Sequence, residues 1–350
     1  MSTALIHEWL VTMAGAESVL QSIYSLYPGR IYTLFHDKDE FKNTIFESTP
    51  IMTSFLQRLP FSSKHRLFFP LFPMAVEQFD LRDHNLIISS SYAVAKGVLN
   101  SSDQLHICYC HSPMRYIWDL TFEYLEAEGL SRGLKSFIIR SMMHYIRIWD
   151  QVSASRVNEF VTNSHYIANR IKKCYNRNAT VIYPPVDIDK FSISDRKENY
   201  FITLSRLVPY KRIDILIEAF KRLKLKLLIV GDGPSRKKLE KLASPEIEFL
   251  GYVPQPQLTD LLSKARAFLF CAEEDFGVVN VEAQACGIPV IAYGRGGALE
   301  TVVENKTGLF FKKRTVESVV EKVQEFIRIE DQFDPALIRK NAEKFPRSRF

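Results

Sequence analysis

The sequence predicts an α/β protein made of two doubly wound domains, each a parallel sheet covered by helices. Three observations carry that expectation. Short apolar runs alternate with helical patterns along the whole chain, the rhythm of strand–helix–strand units. One stretch, NATVIYPPVDIDKFSISDRKEN, breaks the rhythm with two prolines and a polar run, after which it resumes. The chain has 350 residues, enough for two full cores. The expected division is a first domain over 1–185, a linker over 186–198 and a second domain over 199–350.

Composition narrows the class. With 46% hydrophobic and 25% charged residues, the chain reads as globular rather than disordered or membrane-spanning. No run of eighteen apolar residues occurs, and residues 1–10 lack a basic n-region, so a cytoplasmic chain is expected. The five cysteines (108, 110, 174, 271, 286) include no C-x-x-C, so neither a disulfide framework nor a zinc site is indicated. A net charge of +6 suits anionic ligands or anionic lipid surfaces but is too diffuse to indicate nucleic acid.

In the first half the strand-like runs are 4–7, 31–35, 85–89, 106–111, 159–163 and 180–183. Ligands of parallel sheets bind at the C-terminal ends of the strands. At the first such end, HEWLVTMAGAESVL, Gly15 precedes a helix packed through Ala16, Val19, Leu20 and Ile23. A glycine there either lets a ligand approach the backbone or simply makes a turn. At the next, ICYCHSPMRYIWD, His111 ends a strand, and Arg115, Tyr116, Trp118 and Asp119 follow on a loop. A lone histidine in such a place is more often structural than functional. Segments 55–74 and 133–149 interleave aromatic and aliphatic residues with Arg58, Lys64 and Arg66, and with Lys135, Arg140 and Arg147. That mixture suits an interfacial element, or a core helix with a solvated basic edge.

The second half repeats the theme. Strand 200–204 leads into SRLVPYKRIDILIEAFKRL, whose helix has Ile213, Leu216, Ile217 and Phe220 on one face. Arg206 and Lys211 on the preceding loop are a guanidinium and an ammonium suited to phosphate. In LKLLIVGDGPSRKKLEKL, Gly231 and Gly233 begin a G-x-G-x-x-G pattern, but Arg236 replaces the third glycine and weakens it as a dinucleotide motif. Tyr252 and Val253 end the strand of EFLGYV.

The richest stretch is CAEEDFGVVNVEAQACGIPVIA. It runs from a strand at 267–271 through Glu273, Glu274 and Asp275 into a helix that Phe276 and Gly277 open, that holds Glu282 and that Gly287 ends. Backbone amides near Gly277, Val278 and Val279 would be unpaired at the positive end of the helix dipole. That geometry suits a diphosphate flanked by two carboxylates whose partners are hydroxyls. Taken alone, the pair also fits an ordinary acidic loop before an amphipathic helix. Gly296 and Gly297 follow the next strand in another close-approach loop.

This string resembles the E-x7-E signature of the retaining family-four glycosyltransferases, with Glu274 and Glu282 as its two glutamates and EA-x-A-x-G-x-PV around and after the second. Other segments are similar to the same family. HEWL…AGAE resembles its HDWL…GGAE opening, with Ala14 in place of one glycine, and Ser205-Arg206…Lys211 resembles its S/G-R…K pattern. CHSPMRYIWD resembles the members that build bacterial polysaccharides.

The resemblance implies the GT-B architecture, two Rossmann-like domains facing across a cleft, and sugar transfer from a nucleotide diphosphate sugar with retention. It makes Glu274 the partner of the donor sugar and Glu282 that of the ribose. Arg206, Lys211 and the amides from Gly277 to Val279 would stabilise the diphosphate. Gly15, Gly231, Gly233, Tyr252, Val253, Phe276 and Gly297 would line the donor site. His111 would sit beside the sugar, and Arg115, Tyr116, Trp118 and Asp119 would contact the acceptor. No second catalytic carboxylate is evident in the first half, which fits the mechanism in which donor phosphate takes the acceptor proton. No metal is expected, because cationic side chains meet the diphosphate, and Asp187-x-Asp189 lies in a linker rather than at a strand end. The expected donor is GDP-mannose and the expected acceptor a lipid-linked glycan of O-antigen or lipopolysaccharide type. Peripheral membrane contact is expected through 55–74 and 133–149. A UDP-sugar enzyme and a scaffold that binds nucleotide sugar without turnover are the alternatives. A GT-B epimerase would need an acid–base pair that the first half does not show. Relatives continue past FPRSRF with a helix returning to the first domain, which suggests a shortened chain.

Overall fold

The computed structural model describes residues 2–127 and 129–350, apart from the side chains of 63, 64, 66 and 127. The chain divides into two compact units, Met1–Tyr183 and Pro184–Phe350.

The first unit is a seven-stranded parallel sheet in the order β3-β2-β1-β4-β5-β6-β7. Its strands are β1 (Thr3–Leu10), β2 (Arg30–His36), β3 (Ile51–Thr53), β4 (Leu86–Ser91), β5 (Leu105–Cys110), β6 (Glu159–Thr162) and β7 (Thr180–Val181). β1, β2 and β4 are buried along nearly their whole length, as strands covered on both faces must be. The order reverses between β1 and β4, which makes the C-terminal ends of these two strands a topological switch point. Here His7 pairs in register with Ser90, and Ser91 with Cys110.

The second unit is a six-stranded parallel sheet in the order β10-β9-β8-β11-β12-β13. Its strands are β8 (Phe201–Leu204), β9 (Leu227–Val230), β10 (Ile247–Gly251), β11 (Phe268–Phe270), β12 (Val290–Tyr293) and β13 (Gly308–Phe311). The helix Ile213–Leu223 buries Ile213, Leu216, Ile217 and Phe220 in the core and stops at Lys224, which is in the left-handed conformation. Residues before β8 pack with this unit. Val186 bridges to Pro346 in parallel, Arg347 Nε donates to Asp187 Oδ1 at 2.5 Å, and the Glu198 amide donates to the Lys264 carbonyl.

The segment 133–149 forms most of the helix Leu134–Ser153. Its inner end is seated by a buried ion pair between Lys96 and Asp150. Trp118 Nε1 and Tyr175 Oη both donate to Asp150 Oδ2, at 2.8 and 2.9 Å. Its outer face leaves Leu134, Phe137, Ile138, Tyr145, Ile148 and Val152 exposed, and the Arg140 guanidinium lies 5.5 Å from the Phe122 ring. Segment 55–74 is broken into short turns and the start of the helix Phe72–Glu77. It buries Leu56 and Phe72 while exposing Phe61, Leu67 and Met74. The side chains of Lys64 and Arg66 lie outside the described residues. Among the described residues, no helix is long and apolar enough to cross a membrane. All five cysteines are buried thiols.

Candidate functional site

In the second unit, the loop after β11 delivers Glu273, Glu274 and Asp275 to the start of the helix Val278–Ala285. Gly277 caps that helix at a φ of +82°, a left-handed conformation that glycine adopts without strain. A Cβ there would also meet Asn280 Nδ2 at 2.7 Å. The first amides of the helix, Val278 and Val279, have no carbonyl a turn earlier to bond, so this end offers donors and positive potential. Phe276 is buried against Phe345. The helix is fixed from behind by a polar network that composition does not reveal. Gln284 Nε2 donates to the Thr301 carbonyl at 2.8 Å, and Asn341 Nδ2 donates to Gln284 Oε1 at 2.7 Å.

Lys211, at the end of the turn Pro209–Lys211, is ion-paired with Glu274. The fold thus joins two of the residues singled out from sequence. Both side chains are largely shielded from solvent, so the ammonium and the carboxylate stabilise each other where a ligand's charges would otherwise be met. Arg206 stands exposed on the same loop after β8.

Glu282 lies in the middle of the helix, half-buried. Burial pushes its carboxyl up to about 7, and the Asp187 charge adds to the shift. Asp187 itself is held by Arg347 and Lys190, which keep its carboxyl below the ordinary range.

The glycines of this unit serve the chain's own close packing. A Cβ on Gly231, whose φ is +114°, would come within 2.1 Å of the Ser205 carbonyl, and one on Gly233 within 2.5 Å of the Leu207 carbonyl. They therefore hold the loop that carries Arg206. Gly297 presses on the acidic loop in the same way, its Cβ position 2.2 Å from Phe276 Cα. Its amide donates to the Glu274 carbonyl at 2.8 Å. At the end of β10, Tyr252 is exposed and Val253 buried.

In the first unit, Gly15 begins the helix Gly15–Leu26 directly after β1, and nothing lies within 4 Å of where its Cβ would stand. The chain's own packing does not require a glycine there. His111 follows β5. Its Nε2 lies 2.8 Å from Ser90 Oγ, and its carbonyl accepts from Asn163 Nδ2 at 3.0 Å. Burial and the nearby His7 lower its pKa to about 3.

Of the loop residues after it, Arg115 is half-buried, and Tyr116 packs against Phe69 and Tyr124. Trp118 is tied to Asp150, and Asp119 is paired with Arg170 at 2.6 Å. Sequence reasoning passed over Glu8. Its Oε1 accepts from Ser91 Oγ and from the amides of Tyr92, Ala93 and Ala95, which fixes the loop after β4. The signal was the H-E-W-L string itself, whose glutamate is an unusual residue for a buried strand.

Comparison with known proteins bears on this geometry. Residues 187–345 match the family model of glycosyl transferases group 1. An uncharacterized glycosyltransferase of Methanocaldococcus jannaschii is 29% identical over 251 residues, covering 69% of this chain and 71% of that protein. A GDP-mannose-dependent alpha-(1-6)-phosphatidylinositol monomannoside mannosyltransferase of Mycobacterium tuberculosis is 33% identical over 196 residues, covering 47% of this chain. The match spans about half of that relative, 51%. Among solved structures, Anabaena HepE in complex with UDP-glucose superposes with a TM-score of 0.71 at 18% identity, covering 99% of this chain and 96% of that one. Residues 187–345 thus match the glycosyl transferases group 1 family, on a chain with the GT-B fold of two parallel-sheet α/β units.

Proposed function

We propose that this protein is a retaining glycosyltransferase that moves mannose from GDP-mannose to a hydroxyl of a lipid-linked glycan in bacterial surface-polysaccharide synthesis. The observation that carries the reading is the Lys211–Glu274 pair beside the N-terminus of the helix Val278–Ala285, with Glu282 further along the same helix. A nucleotide diphosphate sugar would divide this pair. Lys211, Arg206 and the helix amides would take the diphosphate, and Glu274 the sugar hydroxyls. In the transition state the two cations would oppose charge building on the departing diphosphate. Glu282 is assigned to the ribose, and His111 to recognition of the sugar. With two cations and a helix N-terminus as counter-charge, the reaction is read as independent of metal. GDP-mannose is favoured by the Mycobacterium tuberculosis relative named for that donor. The exposed apolar face of the helix Leu134–Ser153, with Arg140 at its edge, supports peripheral contact with the membrane that holds such an acceptor.

A second reading, a UDP-sugar donor, is favoured by the structural neighbour solved with UDP-glucose. Thermal unfolding of the purified chain with GDP-mannose, GDP, UDP-glucose or UDP, with and without EDTA, decides between them. At about a hundredfold excess over its dissociation constant, a bound nucleotide adds roughly 2.7 kcal/mol of stability. A shift with guanine ligands alone supports the first reading, and one with uridine ligands alone replaces the donor. No shift with either set overturns both.

A further inference from the structure

The first unit encloses an ionisable group that the proposed reaction does not use. His7 is fully buried on β1, opposite Ser90 on β4. Residues in register on neighbouring parallel strands face the same side, so His7, Ser90 and the residue two beyond Ser90's partner Tyr109, which is His111, share one face of the sheet. The helix Gly15–Leu26 adds Glu17 to the group. The result is a continuous polar chain. Glu17 Oε2 accepts from the Ala14 amide at 3.0 Å, and Glu17 Oε1 lies 3.2 Å from His7 Nε2. His7 Nδ1 lies 3.2 Å from both the carbonyl oxygen and Oγ of Ser90, and Ser90 Oγ lies 2.8 Å from His111 Nε2.

Donor and acceptor chemistry determines where the protons sit. A carboxylate and a backbone carbonyl only accept, so the contacts of His7 with Glu17 and with the Ser90 carbonyl are both satisfied when each ring nitrogen carries hydrogen. His7 is then an imidazolium. Burial opposes that charge, but the hydrogen bond and charge of Glu17, with the charge of Glu8, outweigh it and raise the His7 pKa. Ser90 Oγ accepts from His7 and has one proton of its own, which can go only to His111 Nε2. His111, whose pKa is depressed, is neutral and holds its single ring proton on the other nitrogen. Among the described residues Nδ1 of His111 has no hydrogen-bond partner.

We infer that Glu17, His7 and Ser90 are positioning residues that lock His111 in the Nδ1–H tautomer, so that it can act only as a hydrogen-bond donor to an oxygen of the sugar ligand. The ligand assignment rests on the function proposed above, whereas the locked tautomer does not. A fixed donor selects a sugar oxygen able to accept at that point and disfavours one that must donate there, which makes these residues determinants of specificity.

The test reads the tautomer directly. The full chain is labelled with ¹⁵N-histidine, and multiple-bond ¹H–¹⁵N spectra distinguish protonated from bare ring nitrogens. The sequence has 8 histidines, and the His111→Gln variant identifies the signals that belong to His111. The expected result is Nδ1–H in the wild type, a shift toward Nε2–H in Ser90→Ala, and the wild-type pattern in Ser90→Thr, which restores the hydroxyl. Transfer from the donor chosen by thermal shift should fall about tenfold in kcat/KM for Ser90→Ala and recover in Ser90→Thr. Nε2–H in the wild type, or unchanged Nδ1–H in Ser90→Ala, overturns the inference even if Ser90→Thr fails to fold. Because the spectra need no turnover, a locked tautomer without nucleotide binding would remove the proposed function and leave the relay standing. Nucleotide binding with an unlocked ring would do the reverse.

Discussion

Lys211 is ion-paired with Glu274, so a cation from the turn after β8 and a carboxylate from the loop after β11 neutralise each other beside the helix Val278–Ala285. Replacing either residue by alanine leaves the cores untouched but removes a group proposed to act on the donor. Turnover should fall by about 10²–10³, the usual effect of losing one transition-state partner, while the folded circular dichroism spectrum is kept. Wild-type turnover in a folded Lys211→Ala protein would refute the assignment.

Glu282 gives the folded chain a pH signature. Its carboxyl is pushed up to about 7 from an ordinary 4.5. At pH values below both, it is neutral folded and unfolded and has no effect. As pH rises from 4.5 to about 7, the unfolded chain ionises while the folded one still holds the proton. Stability therefore declines through that window, by up to about 3 kcal/mol. Thermal unfolding scanned across it should show the decline in the wild type and a flatter profile in Glu282→Gln. Equal slopes would contradict the burial argument.

The glycines separate into two groups. Gly15→Ala should change stability by less than about 1 kcal/mol, because open space surrounds the site, yet it should weaken donor binding if a ligand uses that space. Gly231→Ala, at a φ of +114° and against the Ser205 carbonyl, should destabilise by about 1–3 kcal/mol and disturb Arg206. Urea titrations and nucleotide dissociation constants measured together distinguish the two effects.

The Lys96–Asp150 pair is wholly enclosed, with Trp118 and Tyr175 also donating to the carboxylate. Removing the lysine alone leaves a charge that already lacks water, so Lys96→Ala should cost about 3–5 kcal/mol. Chemical denaturation measures it. A change below about 1 kcal/mol would mean that the aspartate finds compensation.

The outward face of the helix Leu134–Ser153 should bind anionic lipid vesicles, more weakly as salt rises. Phe137→Ser combined with Ile138→Ser should remove most of that binding in cosedimentation, since both side chains are exposed. Undiminished binding would point to another surface.

The strands longest and most apolar in sequence are those the structure contains. Two escaped notice. β3 has only three residues, Ile51–Thr53, and β13 only four, Gly308–Phe311, too few for a period to show. The charged residues of the second unit stand out through the family resemblance of the string that holds them, since their spacing alone also fits an ordinary acidic loop. The pairing of Lys211 with Glu274 was not, since it depends on how two strand ends adjoin. The same holds for His7, Ser90 and Glu17, which only the register between β1 and β4 brings together. Gly297 reads in sequence as part of a close-approach loop and Gly231 and Gly233 as a weak G-x-G motif, and in the structure all three lie against backbone, at Phe276, Ser205 and Leu207.

The bridge from Val186 to Pro346 and the hold of Arg347 on Asp187 bring the two ends of the second unit side by side. A module whose ends adjoin can be excised as a cassette, or reopened elsewhere and rejoined by a short peptide. Residues 184–350, expressed alone or circularly permuted, would thus allow nucleotide recognition to be weighed apart from everything the first unit contributes.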